Sequence, residues 1–308
     1  MADELNGTII TLAGYVEVNK YRYVYFFIIF KIYLLIICCN LTIVYLIWKN
    51  KNLHEPMYIF IAALLLNCVL YSTSVYPKLL IDFLSEKQVI SYSACLFQLY
   101  IFYTFCSTEF LLLSAMAYDR YVSIFKPLQY PTIMTKTTVS IFLSVACLLP
   151  ACHVAVSVIL IAQIKLCSST LKAIFCNNAI FRIQCVTSKI MNIYGVVGLC
   201  NLVVLPMLFI VFTYTKIFII TYRSCKEVRK KAAETCLPHL MVLTSFSILC
   251  AYDISIARVE SNLPKSVRLI MMLQIVSYQP LFNPLIYGLK MKEISKHLKR
   301  LFLPATKK

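Results

Sequence analysis

The sequence predicts an all-α membrane protein, a seven-transmembrane helix bundle followed by a short amphipathic C-terminal helix, on three observations. Of 308 residues, 60% are hydrophobic and 14% charged, with a mean hydropathy of +0.78. A soluble domain carries about 25% charged residues, and a soluble chain of this length would need far more polar surface to cover its core. Seven apolar runs are each long enough to cross a bilayer, which takes roughly 20 residues. The basic excess, a net charge of +17, falls mainly in alternate connections between those runs.

The runs are Phe26 to Trp48, Met57 to Leu80, Cys95 to Ile124, Thr138 to Ala162, Tyr194 to Tyr222, Leu237 to Val259 and Val267 to Leu289. No internal repeat, Gly/Ser linker or low-complexity tract divides them, so one bundle is expected. The organisation is an N-terminal segment 1–25, a bundle 26–289 and a tail 290–308. Residues 1–25 lack the order of a cleaved signal peptide, and the first span is expected to serve as its own uncleaved targeting signal.

Lys and Arg of short loops stay in the cytoplasm. Lys49 and Lys51 follow the first run, and Arg120, Lys126 and Lys136 the third. Arg223, Lys226, Arg229, Lys230 and Lys231 follow the fifth, and Lys290, Lys292, Lys296, Lys299, Arg300, Lys307 and Lys308 the seventh. Lys165, Lys172, Arg182 and Lys189 oppose this, but the sum places the N-terminus outside and the C-terminus inside. Asn6-Gly7-Thr8 is a glycosylation acceptor on the side expected to be outside. The same pattern at Asn40-Leu41-Thr42, inside the first run, shows how weak it is alone. Lys31 is explained by snorkelling. From Lys290 to Leu303, the residues Ile294, Leu298, Leu301 and Phe302 recur at helical spacing against basic residues, as in a helix lying on the inner leaflet with membrane lipid as its partner.

This placement of charge favours a membrane surface over nucleic acid. The fourteen cysteines show no CxxC or Cys/His zinc spacing, so most are expected to be small apolar packers, with no metal or cofactor. The four histidines, His54, His153, His239 and His297, are scattered, and neither HExxH nor GxSxG occurs, which argues against an enzyme. A transporter or channel would carry inverted repeats or rings of intramembrane charge, and none is visible.

The chemistry concentrates at Met116-Ala117-Tyr118-Asp119-Arg120-Tyr121, where an acid and an arginine end the third run. Charged side chains at mid-membrane cost at least a few kcal/mol each, so they mark either an interfacial ion pair or a functional junction. Asn283-Pro284-Leu285-Ile286-Tyr287 lies near the inner end of the seventh run, where Pro284 frees a carbonyl and lets the helix bend. Asn40 lies midway along the first. Buried polar groups in an apolar bundle suit a packing network or a switch.

Together with Leu53-His54-Glu55-Pro56-Met57-Tyr58, Pro77-Lys78, Lys231, Thr235-Cys236, His239-Leu240 and Pro280-Leu281-Phe282-Asn283-Pro284-Leu285-Ile286-Tyr287-Gly288, these motifs resemble those of rhodopsin-like G-protein-coupled receptors. Within that class the chain resembles odorant (olfactory) receptors, with a fish-type flavour, and the ordered set spans the chain from first helix to last. The resemblance implies a small-molecule odorant, a heterotrimeric G protein of the olfactory stimulatory type that raises cyclic AMP, and the sensory cilia of olfactory neurons.

It also implies roles for residues. Arg120 would hold the inactive bundle closed and line the G-protein pocket when released, with Asp119 restraining it and Tyr121 beside it. Asn283, Pro284 and Tyr287 would form the switch of the seventh helix. Cys95 and the outer-loop cysteines Cys167, Cys176 and Cys185 allow three pairings by count, and the resemblance selects Cys95 with Cys176 and Cys167 with Cys185. Cys68 stands where relatives often have an aspartate, which makes a sodium site doubtful. Glu109 matches an acid common in odorant receptors and is read either as a packing group or as an ion or proton site. No acidic inter-helical partner for Arg120 is evident; Glu227 and Glu234 are merely near.

A ligand in such a bundle would lie between helices in a concave, mostly apolar site. Phe102, Tyr103, Cys106 and Ser107 of the third run share one side by the i, i+3, i+4 rule. Cys250, Ala251 and Ile254 of the sixth and Tyr278 of the seventh are further candidates, with core packing the alternative for each. Arg258 either holds a carboxylate by paired hydrogen bonds or snorkels to water. Asp253 either binds an amine or pairs with Arg268.

Overall fold

A computed structural model of the chain describes residues 9–186, 188–222, 226–258 and 264–302, without the side chains of 226–235, 238, 254–258 and 302. Asn6 therefore lies outside the described residues, as do the side chains of Glu227, Lys231, Glu234, Thr235, Ile254 and Arg258.

Seven helical segments form the bundle: α1 (Val18–Lys49); α2 (Pro56–Thr73) with α3 (Tyr76–Leu84); α4 (Tyr92–Phe125); then, after the single turn α5 (Tyr130–Ile133), α6 (Lys136–Ala162); α7 (Lys189–Leu199) with α8 (Leu205–Tyr222); α9 (Lys226–Arg258); and α10 (Lys265–Lys290). Helix α11 (Lys292–Phe302) follows. Six of these segments are long and apolar enough to span a bilayer; in α9 the apolar stretch is shorter, His239–Asp253. Helix α1 begins at Val18, ahead of the apolar run at Phe26, because its first turns have a partner: Tyr25 stacks on Phe83 of α3 at 5.2 Å.

Proline sets the irregularities. Pro77 has no N–H and crowds the preceding turn, and the second span breaks between α2 and α3 at Ser74 and Val75. Pro206 likewise follows a π-helical turn at Cys200–Val204 that joins α7 to α8. In α10, Pro284 cannot donate to the carbonyl of Pro280, and Asn40 Nδ2 of α1 donates to that oxygen instead, at 2.8 Å. Helices α4, α6 and α7 start at side-chain caps, Ser91, Thr135 and Ser188 accepting from Ala94 N, Thr138 N and Met191 N.

One element was not legible as a pattern. Strand β1 (Ile9–Leu12) pairs antiparallel with β2 (Val89–Ser91) and parallel with β3 (Thr170–Leu171), Ile10 facing Ile90 and Leu12 facing Leu171. Ile10 and Leu12 are buried while Ile9 and Thr11 are exposed, but this alternation covers four residues only. The sheet covers one end of the bundle. Disulfides Cys95–Cys176 (S–S 2.02 Å) and Cys167–Cys185 (2.00 Å) tie the 163–188 segment to α4 and to itself. Gly14 allows the N-terminal segment to lie flat on that loop, since a Cβ there would come within 2.5 Å of the Ala173 carbonyl carbon.

Apolar side chains form two buried clusters. One, with Leu12, Phe83, Phe102 and Phe175, lies beneath the sheet; the other, with Phe60, Phe110, Phe246 and Tyr287, fills the half towards α11. Large apolar residues such as Trp48, Leu148 and Phe218 are exposed on the outside of the bundle, as a lipid-facing surface requires. Helix α11 buries Ile294 and packs Leu298 against the core, leaving Leu301 exposed.

Candidate functional site: a cavity and two polar clusters

Beneath the sheet a cavity of about 720 Å³ opens between α4, α6, α7, α9 and the loop around Asn178, within the range of small-molecule sites. Helix α4 supplies Leu99, Tyr103, Cys106, Ser107 and Phe110, one stripe at helical spacing. Across from it stand Cys250 and Asp253 of α9, and Cys106 Sγ lies 3.8 Å from Cys250 Sγ. His153 of α6 and Met191, Gly195 and Gly198 of α7 close the other side. Gly198 admits the His153 ring, whose Nε2 would lie 2.0 Å from an added Cβ, and that ring stacks on Tyr194 at 4.3 Å. Gly195 faces open space.

Asp253 is the buried acid of this wall. Its Oδ2 accepts from Tyr103 OH at 2.7 Å and Asn178 Nδ2 at 3.1 Å, and its Oδ1 from Asn177 Nδ2 at 3.4 Å. Tyr103 OH also accepts from Asn178 N at 2.9 Å. These bonds join α4, α9 and the disulfide-tied loop around one carboxylate.

Of the residues expected to face a ligand, Tyr103, Cys106, Ser107 and Cys250 line the cavity. Three others do not. Phe102, one residue and about 100° round from Tyr103, is buried between Tyr71 and Phe175, ring centroids 4.8 and 5.0 Å away. Ala251 is exposed. Tyr278 stacks on Phe282 at 4.2 Å along its own helix. The α6 and α7 lining, His153, Met191 and Gly195, carried no signal in sequence, because a cavity between helices depends on their rotation and offset.

Midway through the bundle a polar cluster joins α2, α4 and α10. Glu109 Oε1 accepts from Gln279 Nε2 at 2.7 Å and Asn283 Nδ2 at 2.9 Å, and Asn283 Nδ2 lies 3.1 Å from Cys68 Sγ. Asn40 extends it through Pro280 O, and Tyr287 OH lies 3.4 Å from His239 Nδ1 of α9. Gln279 was missed in sequence, although it stands one turn before Asn283 on the same side of α10. Among the described residues no group of three His, Cys, Asp or Glu side chains gathers as a metal site.

At the end towards α11, Arg120 donates to Asp119 Oδ2 from Nε at 3.0 Å and from Nη2 at 2.5 Å. Asp119 is fully buried, and its Oδ1 accepts from Tyr130 OH of α5 at 2.7 Å. Burial and the Asp119 carboxylate push the Tyr130 phenol above its ordinary range. Tyr130 is a restraint that sequence reading did not find, since it lies eleven residues beyond Asp119 across a loop. Tyr121 stacks on Phe125 at 4.3 Å.

A family model described as olfactory receptor matches residues 29–305. The chain is similar to olfactory receptor 6K3 of Homo sapiens, 30% identical over 94% of this chain and 87% of that protein. It is likewise similar to olfactory receptor 51E1 of Homo sapiens, 31% identical over 99% and 96%, and to olfactory receptor 1500 of Rattus norvegicus, 32% identical over 92% and 91%.

Proposed function

Because the chain belongs to the olfactory receptor family, a multi-pass membrane receptor for odorants that signals through G proteins, we propose that its odorant binds in the cavity beneath the sheet. In this reading binding there releases Arg120 at the far end to a G protein of the olfactory stimulatory type, raising cyclic AMP. The carrying observation is the single carboxylate, Asp253, on which α4, α9 and the loop converge at the cavity wall. A ligand bearing on that wall changes the relative positions of α4 and α9, and Arg120 lies near the far end of α4. The ligand biases such a two-state element by unequal affinity for its two forms.

Residues 1–25 stand outside the cell, 26–289 form the bundle and 290–308 the cytoplasmic helix and tail, in the plasma membrane of the sensory cilia. The basic loops support this orientation. Asn6 is the glycosylation acceptor.

Gly195→Leu tests the cavity, because the added side chain enters open space and replaces a helix-interior glycine. In cells screened with acids, amines, amino acids and neutral volatiles, the variant reaches the surface but loses the odorant-driven rise in cyclic AMP. Arg120→Ala loses the same response at unchanged surface level. A normal response in Gly195→Leu removes the cavity from the reading; a normal response in Arg120→Ala removes the coupling route.

A further inference from the structure

A second recess lies on the lipid-facing flank of the bundle, apart from the odorant cavity. Cys38, Thr42 and Ile43 of α1, Pro284 and Gly288 of α10 and Leu298 of α11 enclose about 230 Å³. This is smaller than the roughly 300 Å³ at which small-molecule sites begin. The wall holds one side-chain hydroxyl, Thr42 Oγ1, and it already donates to Cys38 O at 2.6 Å. What remains is hydrocarbon and thiol, with Leu285 and Leu289 exposed at the rim. Such a surface suits a flexible hydrocarbon chain and offers nothing to a polar ligand.

Next to this recess the charge changes. Helix α11, whose Leu298 forms one wall, carries exposed Lys296, Lys299 and Arg300, and Lys290 ends α10, while Glu293 is the one acid of α11. Basic clusters on an amphipathic helix at a membrane surface attract anionic headgroups. We propose that the recess holds an acyl chain of an anionic phospholipid whose headgroup rests on the basic side of α11.

The position gives the lipid a consequence. Pro284 and Gly288 directly follow Asn283 and Tyr287, which bond to α4 and α9 residues, and Asn40, between Cys39 and Thr42 of the recess wall, donates to the carbonyl that Pro284 leaves without a donor. At Gly288 a Cβ would meet Leu298 Cδ1 at 3.2 Å and Ile43 Cδ1 at 3.3 Å. The acyl chain thus lies against the junction of α1, α10 and α11, and bilayer composition bears on the switch of α10.

The full-length receptor, purified in mild detergent, is offered phosphatidylserine and phosphatidylcholine with the same acyl chains, and cholesterol, and retained lipid is read by native mass spectrometry. Phosphatidylserine is retained over phosphatidylcholine. Changing Lys296, Lys299 and Arg300 to Gln lowers that retention by about fivefold per residue. Filling the recess with Cys38→Phe and Thr42→Phe abolishes it. In the unaltered receptor, a photoactivatable acyl chain on phosphatidylserine labels peptides from 38–43 or 284–298. Equal retention of the two phospholipids, preference for cholesterol, undiminished retention in the filled recess, or label elsewhere or on a second receptor copy each overturns the proposal.

Discussion

The two ends of the bundle are held by different chemistry. At the sheet-bearing end, one disulfide ties the loop to α4, a second closes the loop on itself, and a three-stranded sheet pairs it with the N-terminal segment, while Asn178 and Phe181 of that loop line the cavity. At the α11 end there is no disulfide among the described residues, and the Asp119 cluster rests on hydrogen bonds from Arg120 and Tyr130. A covalent tie has one geometry, whereas a carboxylate with two donors can exchange them. In the proposed function, the fixed rim is the ligand end and the exchangeable contact is the G-protein end. The Glu109 cluster lies between, joining α4 to α10.

The covalent end is expected to be the more costly of the two to disturb. Cys95→Ala opens a link between residues 81 apart in sequence and is expected to cost about 2–5 kcal/mol. It should lower both the melting temperature of the purified receptor and its surface level, and wild-type values would mean that the sheet and the hydrogen bonds of the loop to α4 and α9 hold the rim without it.

Glu109→Ala removes the shared carboxylate acceptor of the buried Gln279 and Asn283 amides and leaves them only Asn283 Oδ1 and Cys68 Sγ, at about 1–3 kcal/mol for each donor. Glu109→Gln keeps an acceptor oxygen and should melt closer to wild type. Equal losses in the two variants would point to the carboxylate charge rather than to hydrogen bonding.

At Gly14 an added side chain meets Ala173 backbone, and Gly14→Val is expected to cost about 1–3 kcal/mol as overpacking does. Faster hydrogen exchange at Thr11 to Gly14 is the measurement, and unchanged exchange would show that the N-terminal segment does not depend on that close approach.

The smallest effect is expected at the exchangeable end. Tyr130→Phe removes one hydrogen bond to Asp119, worth about 1 kcal/mol. Melting should barely change, while ligand-independent cyclic AMP rises by up to about fivefold. Unchanged basal signalling would mean that Asp119 restrains Arg120 without help from Tyr130.

Sequence alone determined what depends on composition along the chain. Apolar runs of spanning length gave the helices, alternating basic loops gave an expected orientation, and Pro284 announced a carbonyl without a donor. Asp119, Arg120, Asn283 and Glu109 were recognisable because charge and amide groups are rare in hydrocarbon. The donor to Pro280 O, by contrast, comes from α1, 240 residues away, and Tyr130 reaches Asp119 from another element. Only the tertiary structure decided these pairings. It also decided that Tyr103 and not Phe102 faces the cavity, that α6 and α7 complete its wall, and that four residues near the N-terminus become a strand. Each depends on how far one helix is rotated or displaced against another. Periodicity along a single helix carries no such information, because it defines which residues share a side but not what that side meets.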